Sequence, residues 1–218
     1  MKSLRDKKVI IVGAGGSASR YKSKILDFIE KNGIVTIGIN NITSVLYPDY
    51  HLWTNKKRFK TFNQNIDNSK SKVLLGSGMS KKWIRKYYKN KYIVVDYVDE
   101  EGCRMEYDSG IIKGNFRTAG ALAVMIAHVN KARNIYIVGM DGYTLYPRYQ
   151  LDSDIRNQHC YGSGFTDDAS WDECIKKDEA VYETLNEMKQ YGVKFSILTP
   201  TKFENFYDPS ILEIKGNQ

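Results

Sequence analysis

The chain has 218 residues, 42% of them hydrophobic and 27% charged, with a formal net charge of +8. That is enough for one α/β domain with a full core and short for two. No apolar run approaches the roughly 20 residues that span a bilayer, the start MKSLRDKK has no signal-peptide core behind it, and the three cysteines lack the spacing of a zinc site or disulfide framework, so the expected location is the cytoplasm.

In chain order, Lys8–Ser17 (KVIIVGAGGS) comes first and organises the rest. Val9–Val12 predicts a strand covered on both faces, as in a parallel sheet. Gly13, Gly15 and Gly16 follow, so the backbone can turn sharply and approach a ligand without a Cβ in the way. Ser17 and Ser19 are expected to cap the next helix, which carries Ile25, Leu26, Phe28 and Ile29. Its first N–H groups favour an anion, most often a phosphate.

Ile34–Asn40 is the second predicted strand. The glycines match a loose dinucleotide fingerprint, Gly13-Ala-Gly-Gly-Ser-Ala18, but that fingerprint expects an acidic residue at the end of this strand. Asn40 stands there instead, which argues against an NAD enzyme. Pro48–Thr54 predicts a short strand, with Asn55-Lys56-Lys57-Arg58-Phe59 opening a polar helix. Lys72–Leu75, a helix over Met79–Lys89 and the strand Tyr92–Val95 follow.

The stretch between Asp96 and Gly114, with Asp99-Glu100-Glu101, reads as an acidic, solvated surface loop. Ala121–Val129 is apolar nearly all round and predicts a buried helix, with His128 as a structural residue near its end. Asn134–Gly139 is a strand whose end carries Asp141, on the edge where open α/β sheets bind ligands. From Gly142 to Ser170 hydrophobic periodicity is almost absent, and a stretch of that length predicts a lid or binding loop. A helix over Trp171–Tyr191 and a strand over Val193–Leu198 complete a doubly wound, mostly parallel, Rossmann-like α/β fold in a single domain.

The positive charge suits nucleic acid, an anionic membrane surface or a phosphorylated small molecule. The lysines are dispersed, with local density only at Lys56-Lys57-Arg58 and Lys81 to Lys91, and no nucleic-acid recognition motif accompanies them. An anionic substrate or peripheral contact with an inner membrane leaflet is the expectation. His159, in the polar, glycine-flanked run Asn157-Gln-His-Cys-Tyr-Gly162, has no core to absorb it and an ordinary pKa suited to a general base. Asp152-Ser-Asp154 has the spacing of a metal-bound nucleotide-sugar motif, although it falls in loop. The P-loop and nucleophile-elbow patterns are absent.

Taken in order, these segments resemble the bacterial sialyltransferases of glycosyltransferase family 42. That family has a Gly-Asn-Gly-Pro-Ser turn where this chain has Gly13-Ala-Gly-Gly-Ser17, and a nucleotide-contacting Asn at the position of Asn40. Its Arg-x-Thr-Ser-Gly segment is similar to Arg117-Thr118-Ala119-Gly120, and its Gly-Ile-Asp-Phe-Tyr to Gly139-Met-Asp141-Gly-Tyr143. Its Asn-x-His-x-x-Gly context resembles Asn157–Gly162, and its Cys-Pro resembles Thr199-Pro200. Coverage is nearly the whole chain.

The resemblance implies a GT-A-like variant fold and a glycosyltransferase of surface glycan biosynthesis. The donor would be a CMP-activated sugar acid, the acceptor a glycan or lipid-linked molecule, and no metal or other cofactor would be required; a homo-oligomer is compatible with it. His159 would take the acceptor's proton, and Tyr143 and Tyr149 would hydrogen-bond the departing phosphate. The turn Gly13, Gly15, Gly16 and Ser17, with Asn40, Arg117, Thr118, Gly120 and Asp141, would hold the nucleotide. Ala14 and Ala119 replace polar residues of the family, and the family's membrane-associating C-terminal region has no counterpart.

The same elements also resemble the 6-hydroxymethylpterin pyrophosphokinase-like group, which includes motility accessory factor domains. Pyrophosphoryl transfer from ATP with Mg²⁺ would then be the reaction, and Asp141, Asp152 and Asp154 the metal-ligand candidates. A nucleotide-binding accessory protein without turnover is the third alternative, suggested by Ala14 and Ala119.

Overall fold

The computed structural model describes residues 4–145, 159–161 and 170–213. Seven parallel strands form one sheet in the order β10-β9-β1-β2-β3-β4-β5. They are β1 (Lys8–Val12), β2 (Val35–Ile39), β3 (Tyr50–Trp53), β4 (Lys72–Gly76), β5 (Tyr92–Val95), β9 (Asn134–Val138) and β10 (Phe195–Ile197). The chain winds outward from β1 through β5 in one direction, then returns to place β9 on the other side of β1. The β1–β9 boundary is thus where the strand order reverses, and open α/β sheets bind ligands beyond the carboxyl ends of strands at such a point.

The unbroken apolar run of β1 follows from its central place. Val9 and Ile11 face the layer made by α5 (Ala119–Val129) and α6 (Trp171–Gln190). Ile10 and Val12 face the opposite layer, which holds Ala18 of α1 (Gly16–Arg20), Ile25 of α2 (Lys22–Asn32) and part of α7 (Ser210–Glu213). Trp53, Phe59 and Ile84 centre a third apolar cluster between β3, β4 and the helices α3 (Lys56–Phe62) and α4 (Lys81–Tyr87). The architecture is therefore α/β with helices on both faces of a parallel sheet, as expected.

Several local expectations change. The stretch 96–114 is not an irregular loop: Tyr97–Asp99, Glu106–Asp108 and Ile111–Gly114 are strands β6, β7 and β8 of a small second sheet, in the order β6-β8-β7. Half of their residues are exposed, so no apolar alternation announces them. Its acidic run is not wholly solvated either, since Asp99 accepts a hydrogen bond from the Phe116 amide at 2.8 Å. The helix expected after the glycines is broken at Tyr21, and its N-cap is Gly15 with no side-chain cap from Ser17 or Ser19. Helix α5 begins two residues before the expected Ala121, at Ala119, because Thr118 caps it by accepting from the Ala121 amide at 3.1 Å. His128 lies half-buried with its ring against Tyr191, as a structural residue would. No helix among the described residues is long and apolar enough to cross a membrane.

Candidate functional site

The carboxyl ends of β1, β2 and β9 open into a cavity of about 320 Å³, flanked by the starts of α3 and α5. Of the residues the sequence singled out, Gly13, Gly15, Asn40 and Asp141 line it from the sheet side. Arg117, Thr118 and Gly120 line it from the start of α5, and Tyr143 and His159 from the segments that follow β9. Gly16 and Ser17 are not in the wall. Tyr149, Asp152 and Asp154, with most of the expected 142–170 lid, lie outside the described residues.

The glycine turn also serves close packing within the protein. A Cβ on Gly13 would sit 2.4 Å from the Gly139 carbonyl oxygen, and one on Gly139 (φ +69°) would sit 2.4 Å from that of Gly13. These two glycines let the ends of β1 and β9 meet backbone to backbone, where the Gly13 amide donates to Val138 at 2.8 Å. A Cβ on Gly15 would fall 2.6 Å from Asp141 Oδ1. Gly13, Gly15 and Gly139 thus make room for protein atoms at the cavity wall. Gly13→Ala should therefore cost about 1–3 kcal/mol in chemical denaturation, the range of an overpacked core; an unchanged denaturation midpoint would refute the contact.

The anion expected at the first turn of α1 belongs to the protein itself. Asp141 Oδ2 accepts from the Ser17 amide at 2.8 Å and Oδ1 accepts from the Ser17 hydroxyl, which also lies 2.9 Å from Thr199 Oγ1. Thr199 Oγ1 in turn accepts from the Gly139 amide at 2.9 Å. Ser17 is fully buried in this network and cannot meet a ligand. Burial pushes the Asp141 carboxyl above its ordinary range, against the opposing pull of the Ser17 hydrogen bonds and the Arg20 charge.

On the far side of β1, Asn40 has a left-handed backbone (φ +54°), which Asn tolerates better than most residues. The fully buried His51 reaches across from β3 and hydrogen-bonds the Asn40 carbonyl through Nε2. A carbonyl only accepts, so Nε2 must carry the proton. Burial holds His51 at a pKa of about 4, hence neutral and unsuited to proton transfer at neutral pH. The pinned backbone leaves the Asn40 side chain buried in the cavity wall, and its Oδ1 has no hydrogen-bond partner among the described residues. Such an oxygen calls for an N–H or O–H donor from a ligand.

Residues 159–161 are laid across the glycine turn. His159 forms an antiparallel bridge with Gly15, the Cys160 amide donates to the Ala14 carbonyl at 2.8 Å, and Tyr161 packs on Phe62 of α3. The His159 ring stacks on Tyr161 with centroids 5.0 Å apart, and its Nε2 lies 3.3 Å from Nη2 of Arg58. Cys160 is no competing nucleophile, because burial raises its thiol to about 11.

Two site residues went unrecognised in the sequence. Arg58 belongs to a basic group noted only for its local charge density, yet the Asn55 cap, which accepts from the Arg58 amide at 2.9 Å, starts α3 so that Arg58 lines the cavity. Asp178 lies on α6, where its two oxygens accept from the Tyr143 amide at 2.7 Å and the Thr144 amide at 2.8 Å. This anchors the chain leaving β9 and places Tyr143. Its signal was available: Cys174, Asp178, Val181, Leu185 and Met188 repeat at helical spacing, an acid on an otherwise apolar stripe.

Compared with known families and with curated proteins, the sequence matches no family model and no curated protein.

Proposed function

We propose that this chain is a glycosyltransferase that uses a CMP-activated sugar acid and a His159 general base. One observation carries the reading: His159, paired through its backbone to Gly15, shares a single cavity with Asn40, Arg58, Thr118 and Tyr143. That set supplies what the reaction needs. The unsatisfied Asn40 oxygen suits an amino or hydroxyl donor of the nucleoside. Arg58, Arg117 and the Thr118 hydroxyl suit the phosphate and the sugar's carboxylate.

In the reaction, the acceptor hydroxyl oxygen bonds to the anomeric carbon while the bond from that carbon to the phosphate oxygen breaks, its electron pair leaving with CMP. His159 takes the hydroxyl proton, and the Tyr143 hydroxyl donates to the phosphate as charge accumulates there. The glycan or lipid-linked acceptor enters from the solvent side. No step calls on a metal. Under the pyrophosphokinase alternative Asp141 would ligate magnesium, but both its oxygens already accept hydrogen bonds from Ser17.

A thermal-shift screen of CMP, CDP, ATP, UDP and NAD, each with and without Mg²⁺, tests the proposal, since selective binding raises the melting temperature. CMP should give the largest rise, equal in both conditions. A larger, Mg²⁺-dependent rise with ATP would overturn it in favour of pyrophosphoryl transfer. Selective CMP binding without product from any CMP-sugar would leave an accessory protein.

A further inference from the structure

We propose that Arg58 is a positioning residue that masks His159 Nε2 and releases it when a phosphate group enters the cavity. The inference rests on the reading of His159 as the base. A guanidinium offers five N–H donors, has no acceptor and keeps its proton throughout the accessible pH range. With Arg58 Nη2 at 3.3 Å, Nε2 must therefore be the ring nitrogen that accepts, and the proton of the neutral ring resides on Nδ1. An imidazolium carries N–H on both nitrogens and could not accept from Arg58, so the same contact also holds the ring neutral.

The surrounding charges explain why Arg58 rests on so weak a partner. Among the described residues, two carboxylates line the cavity, and both are engaged elsewhere: Asp141 by Ser17, and Asp178 by the Tyr143 and Thr144 amides and the Thr144 hydroxyl. Arg117, the second cation of the wall, lies 3.6 Å from Glu101. Among the described residues Tyr143 also lines this space, and Tyr161 stacks on the His159 ring. No carboxylate among the described residues forms an ion pair with Arg58.

A phosphate changes the balance. A contact of 3.3 Å to a neutral nitrogen is long, whereas a guanidinium binds phosphate oxygens bidentately through shorter, charge-assisted bonds. Arg58 leaves Nε2 for the incoming anion, and His159 then loses a cationic neighbour as a negative charge arrives. Both changes raise its affinity for a proton, at the lone pair that the acceptor hydroxyl must reach. The base is exposed when the donor is in place, and an uncharged sugar leaves it covered. Arg58 thereby couples donor binding to proton transfer and selects for a phosphorylated donor.

The test is a pH titration of the His159 ring nitrogens by long-range ¹H–¹⁵N NMR on the full chain, with assignment from the signals lost in His159→Gln. The probes are CMP and inorganic pyrophosphate. In wild-type protein either anion should raise the His159 pKa by roughly one unit, and Arg58→Gln should raise it by a similar amount without any ligand. In that variant the anions should add little, while Arg58→Lys should restore part of the response. The wild-type titration alone decides the matter if Arg58→Gln does not fold. An identical His159 titration with and without bound CMP would overturn the mask and leave the donor reading standing. A shift with pyrophosphate, in a protein that does not bind CMP, would keep the mask and remove the cytidine donor. No shift with either anion, or the same ligand-free titration in wild type and Arg58→Gln, would also overturn the mask.

Discussion

His159→Ala is expected to lose about 10²- to 10⁴-fold in sugar transfer while retaining the melting-temperature rise given by CMP. The magnitude is that of removing a positioned general base. Retention of binding follows from how residue 159 is held. Its link to Gly15 is a backbone bridge, and the neighbouring Cys160–Ala14 hydrogen bond is also main chain, so truncating the imidazole leaves both intact. The nucleotide contacts assigned to Asn40 and Thr118 come from other strands and helices. Initial rates with a CMP-sugar, together with CMP thermal shifts on the same preparations, separate the two effects. Transfer at the wild-type rate would remove His159 from the mechanism.

The second large effect concerns the fold beneath the site. Asp141→Ala should destabilise the chain by about 2–4 kcal/mol, because it strips the fully buried Ser17 of the amide's acceptor and leaves its hydroxyl only Thr199. Asp141→Asn keeps an acceptor oxygen and should cost clearly less. The two also differ with pH. Burial raises the folded pKa of Asp141 above its ordinary 3.8, so between those two values the folded state holds a proton that the unfolded state has lost. Stability from this group therefore falls as pH rises through that window, and stays at its lower level above the folded pKa. The advantage of wild type over Asp141→Asn should accordingly shrink as pH rises from about 4 towards neutrality. Urea denaturation of the three proteins across that range measures it. An advantage that grows with pH would mean that the Ser17 bonds outweigh desolvation.

Much of the site was legible because its parts sit at ends of regular elements. The apolar runs of β1 and β9, the Asn closing β2 and the Asp following β9 each have a local signature, and their parallel order brings those ends to one edge. The Arg117–Gly120 segment was legible for the same reason, as the entrance to a strongly apolar helix. Arg58 and Asp178 were not. Arg58 is an ordinary charged residue on a helix, and only the packing of that helix shows which way its charge faces; Asp178 carried a signal in the apolar stripe around it, but not the identity of the amides it anchors. The strands between residues 96 and 114 escaped notice because they are short and only partly buried, held by main-chain pairing with little apolar patterning.

By itself the sequence determined the parallel α/β architecture, since burying β-branched runs on both faces admits few other solutions, and it put a histidine, an asparagine and an aspartate at the rim of that sheet. Tertiary structure alone decided what each does there. Contacts between residues more than a hundred positions apart, Ser17 with Asp141 and Arg58 with His159, are set by how strands and helices stack. They engage the aspartate's carboxylate within the protein, and they set a guanidinium against the histidine ring. No local propensity encodes such pairings, because their energy exists only once the sheet has brought the partners together.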